Sequence, residues 1–281
     1  MLNADVLQHL RQIRAVSAEQ RPNPANAKPN TGNNLAYTFV CQDSAYKVDE
    51  NKLDKEQRYY EEIIFQDKCI PTRSSNLHDY FNGLVWLQYP KTKAYLNQLH
   101  WHEIQGNSLK KRSPLRDRVT HFDECGIVLV TDLPDLKASL KGHDWQDVYV
   151  DKREHWFRPK HGIVPLHFGH ANLEMLCKPF IGLTAKAMVI NSESLLEVAC
   201  SLLTHKYASE SESLEKTALI DEALVAQLKK DKIFSEKGHL MPLPLLGIPG
   251  WHFEEQTSAF YRDQNYFMPH PSQRGTCDKR K

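Results

Sequence analysis

The stretch NLHDYFNGLVWLQYPKTKAYLN, residues 76–97, restricts the fold more than any other part of the chain. Leu77, Tyr80, Phe81, Leu84 and Leu87 recur at i, i+3, i+4, i+7 spacing, which predicts an α-helix with an inward apolar stripe. Pro90 either stops that helix or opens the next at its first position, where a missing N–H removes no helical bond. KTKAYLNQLHWHEI continues as a second helix, so the pair forms a helical hairpin or corner. On this framework sit His78, Asp79, Asn82, Lys93 and Asn97. Residues four apart share a helix face, so His78 and Asn82 point together, away from the stripe. Lys93 and Asn97 form a second such pair.

The rest of the chain reads as α+β, predominantly helical with a small antiparallel sheet. Asp5 is a candidate N-cap for a short helix carrying Val6, Leu7, Leu10 and Ile13. SAEQRPNPANAKPNTGNN, residues 17–34, buries too little apolar surface to order itself and reads as a loop. TFVCQ at 38–42 predicts a strand, and residues 54–66 a helix with Tyr59, Tyr60, Ile63 and Ile64 inward; Pro71 ends that region. NSLKKRSPLRDR, residues 107–118, reads as a basic connector. VTHFDECGIVLVTD looks like a hairpin, with Val119, His121 and Asp123 alternating on one strand face. A short helix runs from about 132 to Leu140, an extended piece and a helix to Cys177 follow, then the strand LTAKAMVIN and helices around 192–206 and 213–230. PLPLLGIPGWHF is apolar but crowded with Pro and Gly, which predicts a rigid extended segment over the core rather than a regular element.

Composition narrows the function classes. The chain carries 36 basic and 35 acidic residues, so no global field draws it to nucleic acid or an anionic membrane. No window approaches the roughly 18 apolar residues of a membrane span, and the N-terminus lacks the apolar stretch of a secretory signal. Cys41, Cys69, Cys125, Cys177, Cys200 and Cys277 show no C-x-x-C spacing, which fits reduced, mostly buried thiols and a cytoplasmic protein. Trp86, Trp101, Trp145, Trp156 and Trp251 are expected as core or groove walls.

The common signatures of serine hydrolases, phosphate-binding loops, dinucleotide folds and zincins are absent from the sequence. Three pairs of potential ligands or acid–base groups remain. They are His78 with Asp79, His121 with Asp123, and His170 with Glu174. A neutral imidazole and a carboxylate one turn apart can hold a divalent metal, or act as an oriented base and its partner. Each has a structural alternative: His170 as a helix cap, His121 and Asp123 as the wet face of a hairpin, Asp79 as a first-turn acid, Lys93 as an exposed lysine. HGIVPLHFGH also clusters His161, His167 and His170, at a spacing that matches no common zinc pattern. The run Lys110, Lys111, Arg112, Arg116, Arg118 can meet phosphates, but a solvated loop accounts for it better.

The opening stretch, with FDECG at 122–126, FGHANLE at 168–174, PLPLLGIPGW at 242–251, AFYRD and YFMP, resembles the bacterial domain-of-unknown-function family 3025. The resemblance spans roughly residues 36–270. It implies one family-like globular domain, flanked by an N-terminal segment, 1–35, and a polar basic tail, 271–281. It implies no reaction. The polar positions inside the matching motifs are His78, Asp79, Asn82, Lys93, Asn97, Asp123, Glu124, His170 and Glu174, with His121 just outside.

Two readings follow. In the first, His78, Asp79, His170 and Glu174 hold a divalent metal that activates water, while Lys93 and Asn82 position a small-molecule substrate, phosphoesters included. In the second, the protein binds partners without catalysis, and the polar residues form a buried network that fixes the helix corner.

Overall fold

The computed structural model describes residues 36–42, 58–107, 112–204, 209–230, 232–235, 239–252 and 254–273. The expected N-terminal helix, the 17–34 loop, Lys110, Lys111 and Cys277 lie outside the described residues. Helices dominate: α1 (Tyr60–Asp67), α2 (Leu77–Gln88), α3 (Pro90–Asn107), α4 (Pro114–Cys125), α5 (Leu136–Gly142), α6 (His170–Leu176), α7 (Glu193–Leu203), α8 (Glu210–Lys230) and α9 (Ser258–Tyr261). β1 (Thr38–Cys41) and β2 (Cys69–Thr72) pair in parallel, with Pro71 inside β2. β3 (Gly126–Thr131), β4 (Ile163–His167), β5 (Thr184–Asn191) and β6 (Met241–Pro244) form the larger sheet in the order β4-β3-β5-β6.

The α+β, mainly helical class holds, and the sheet differs from expectation in one respect. β3 pairs with β5 in parallel and with β4 antiparallel, so the sheet is mixed. Both its faces are covered. Ile127, Leu129, Ala187, Val189 and Leu243 face a core completed by Leu140, Tyr149, Trp156, Trp251 and Phe267. Val128, Val130, Val164, Leu166, Met188 and Ile190 face Val119 and Phe122 of α4, Leu196 of α7 and Leu224 of α8. That two-sided cover explains why GIVLVT is an unbroken apolar run rather than an alternating one.

Three local expectations give way. Residues 114–125 are helix α4, not the first arm of a hairpin. Ser113 caps it, accepting from the Arg116 amide at 3.2 Å, and Pro114 sits in its first turn. Val119 and Phe122, three apart, are the buried face, and His121 is exposed on another side. In α2 the stripe shifts: Leu84 is 37% exposed, while Val85 and Trp86 are buried. The helix meets a different apolar cluster on each side, with Phe81 in one, Val85 in a second and Trp86 against Ile64 and Ile70. Finally, Met241–Pro244 is a regular strand despite its prolines. It lies at the sheet edge, and the Leu245 amide donating to Leu183 O at 3.0 Å sets the register. Met241, Leu243 and Leu245 therefore turn their amides toward β5, and Pro242 and Pro244 stand where an amide would face away. Tyr149 OH donates to the outward carbonyl of Pro244 at 2.7 Å.

Two arginines of the basic run are structural. Arg116 is buried, donating to Tyr59 OH at 2.9 Å, and Arg118 donates to the carbonyls of Phe234 and Ser235. Trp86, Trp145, Trp156 and Trp251 are core residues. Cys41, Cys69, Cys125, Cys177 and Cys200 are free thiols, the last two buried. Among the described residues no helix is long and apolar enough to cross a membrane.

Candidate functional site

The motifs FDECG and FGHANLE meet through their glycines. Gly169 N donates to Gly126 O at 2.7 Å. A Cβ on Gly169 would lie 2.4 Å from Gly126 N and 2.6 Å from Cys125 Cα, so only glycine admits this approach. Asn172 reinforces it by donating to Cys125 O at 3.2 Å. The contact sets the last turn of α4, with Asp123 and Glu124, beside His170 at the first turn of α6. His78 arrives from the first turn of α2, which Asn76 caps by accepting from the Asp79 amide at 2.9 Å.

His78, His170 and Glu124 form one cluster. Nε2 of His78 lies 3.0 Å from Nε2 of His170. Glu124 Oε2 lies 3.4 Å from His170 Nε2 and 3.9 Å from His78 Nε2. Metal–ligand distances of about 2.0–2.1 Å place neighbouring donors of a tetrahedral site roughly 3.3 Å apart, close to this spacing. These three residues form a group of potential metal ligands in the structure. Glu174 stands one bond back: its Oε2 lies 3.3 Å from His78 Nδ1. A carboxylate there holds the proton on Nδ1 and leaves the lone pair on Nε2, the arrangement found behind metal-bound histidines. Burial lowers the pKa of His170 to about 3, against the pull of the Asp123 charge, so its ring is neutral at physiological pH. No hydrogen bond of normal geometry reaches its buried Nδ1, although the Asp123 carbonyl weakly favours a proton on the ring.

A second cluster abuts the first. Lys93, 4% exposed, donates to Asp123 Oδ1 at 2.5 Å and Asn82 Oδ1 at 2.8 Å, and lies over the Trp86 ring. Asn82 donates in turn to Tyr60 OH at 3.1 Å. Burial pushes the Asp123 carboxyl up, but the charges of Lys93 and its neighbours outweigh that and hold it below its usual range. Glu124 moves the other way, raised by burial and by the Asp123 charge.

Of the residues singled out in the sequence, His78, His170 and Glu174 come together, and Asn82 and Lys93 join them through Asp123. Asp79 points elsewhere: its carboxylate accepts from Arg73 N, Nε and Nη2 at 2.7, 3.0 and 2.9 Å. Consecutive helical residues diverge by about 100°, which separates it from His78. Asn97 donates to Glu61 Oε2 at 2.6 Å. Neither His121 nor His161 joins the cluster. The sequence does not single out Glu124 as a ligand, because its segment alternates like a strand although it is a helix. The Ser-Pro start of α4 was the available signal.

The clusters share a cleft of about 380 Å³, lined also by Tyr59, Glu61, Arg73, His100, Arg112 and Thr120. The family model described as "Protein of unknown function (DUF3025)" matches residues 45–271. The chain belongs to the DUF3025 family. No curated protein and no solved structure matches this DUF3025 chain. The matched span contains every residue of both clusters.

Proposed function

We propose that this DUF3025 protein is a metal-assisted hydrolase centred on His78, His170 and Glu124, with Glu174 orienting His78. The observation that carries the reading is the Nε2–Nε2 contact at 3.0 Å. With the His78 proton held on Nδ1 by Glu174, His78 Nε2 offers a lone pair. His170, neutral and buried, either donates from Nε2 and leaves Nδ1 an empty acceptor, or offers a second lone pair at close range. A cation between two lone pairs and the Glu124 carboxylate removes the conflict. Three protein donors leave coordination positions open toward the cleft, and a divalent ion there lowers the pKa of bound water. Asp123 stays ionised beside the site, and Lys93 neutralises it rather than touching substrate.

Elemental analysis of the natively purified protein, beside a His78→Ala/His170→Ala variant, tests this. Stoichiometric zinc or manganese in the wild type, absent from a folded variant, is the expected result. Iron alone would point to oxidative chemistry, which the same donor set supports. A metal-free, folded wild type would overturn the reading in favour of a binding protein. The hydrogen-bonded Asp123–Lys93–Asn82–Tyr60 chain supports that alternative, because it fixes the helix corner without needing an ion.

A further inference from the structure

We propose that the cleft binds a phosphate-class anion and that Arg112 is the residue that holds it. The proposal rests on the hydrolase reading for its chemistry, but its binding test stands apart from that reading.

Most charges on the cleft wall are already matched. Asp79 pairs with Arg73 at 2.9 Å and Asp123 with Lys93 at 2.5 Å, while Glu61 accepts a hydrogen bond from the neutral Asn97 amide at 2.6 Å. Asp79 and Asp123 therefore do not confront an incoming anion as bare charges. Lys93, the cation that the sequence suggested for substrate binding, is buried beneath Asp123 and Asn82 and over Trp86, out of a ligand's reach.

Arg112 is placed differently. Its side chain is 50% exposed and lines the cleft together with Thr120. Two contacts steady one side of its guanidinium: Nε to Asp117 Oδ1 at 3.0 Å, and Nη2 to Thr120 Oγ1. A guanidinium has five N–H donors in a rigid plane, so two anchors still leave donors to offer. A fork held on one side and presented on the other matches the geometry of a phosphate, which accepts paired N–H bonds. Its charge is also felt at Glu124, which places it within electrostatic reach of the candidate metal ligands. The cleft suits a small polar molecule, since Pro71 is the one aliphatic side chain among its lining residues.

The test is calorimetric titration of inorganic phosphate into the full-length protein, the Arg112→Ala variant and the Arg112→Lys variant. Wild type should bind phosphate, Arg112→Ala at least tenfold more weakly, and Arg112→Lys in between, because a point charge replaces the fork. Metal content and thermal melting should be the same in all three. No binding by wild type, or equal binding by wild type and Arg112→Ala, overturns the proposal. Titrating the His78→Ala/His170→Ala variant separates the two readings. Arg112-dependent binding that survives there leaves the anion site standing even if elemental analysis finds no metal.

Discussion

Two polar clusters meet at the last turn of α4, with Asp123 in one and Glu124 in the other. The Asp123 cluster is closed. Lys93, Asn82 and Tyr60 pass hydrogen bonds along a line, and the cation lies over an aromatic ring. The Glu124 cluster is open. Two histidine nitrogens face each other, one carboxylate is raised by burial and by its neighbour's charge, and a buried nitrogen goes without a good partner. Adjacent residues in one motif thus serve different ends. A polar group with its bonds complete holds the fold, and one with bonds outstanding is available to a ligand.

The largest effect expected from breaking this contrast lies in the closed cluster. Lys93→Met should cost about 3 kcal/mol, because it leaves the Asp123 carboxylate uncompensated. A Lys93→Met/Asp123→Asn double variant should recover much of that in urea unfolding. If Lys93→Met instead leaves stability intact and removes activity or metal, Lys93 belongs to the open cluster.

Acid should separate the clusters next. Free histidine titrates near 6.5, whereas burial holds His170 at about 3 and His167, whose ring nitrogens are both buried without partners, at about 4. Below pH 6.5 the unfolded chain takes up protons that these two rings refuse. Stability of the metal-free protein should then fall with pH by about 1.4 kcal/mol per pH unit for each ring, down to about pH 4. Asp123 is silent in that window. Its lowered folded value makes its stabilisation complete above the unfolded value of about 3.9 and removes it only as pH falls through the folded value. In His170→Gln the slope between pH 6.5 and 4 should become shallower by about one ring's share, and an unchanged slope would contradict the burial argument.

The smallest effect on stability belongs to Glu174→Gln. That side chain is partly exposed, and its loss should move unfolding by under about 0.5 kcal/mol. Metal affinity, measured by competition with a chelator, should fall by about 10–100-fold. An unchanged affinity would detach Glu174 from the site.

The sequence shows what its periodicities encode. The corner at Pro90, the helix at His170, the strand 184–191 and the two late helices are each announced by apolar spacing and by local breakers. Partnerships across the chain are not. Nothing in the sequence around Lys93 reveals that its carboxylate lies 30 residues on, or that Asp79 is held by Arg73. Glu124 is hidden by a competing period: Val119, His121 and Asp123 alternate like a strand, and the helix shows only in its Ser-Pro start and in the spacing of Val119 and Phe122. The clash that keeps Gly169 a glycine lies in the tertiary approach of two motifs, which no local pattern records.

The prolines of β6 have a consequence for how this molecule behaves among copies of itself. An exposed sheet margin normally offers a ladder of donors and acceptors on which another chain can zip. Here the outward positions at 242 and 244 carry no N–H, and the carbonyl of Pro244 is already taken by Tyr149. The sheet is sealed on that flank. Fibril-like growth by strand addition has no template there, even at the high concentrations reached during overproduction.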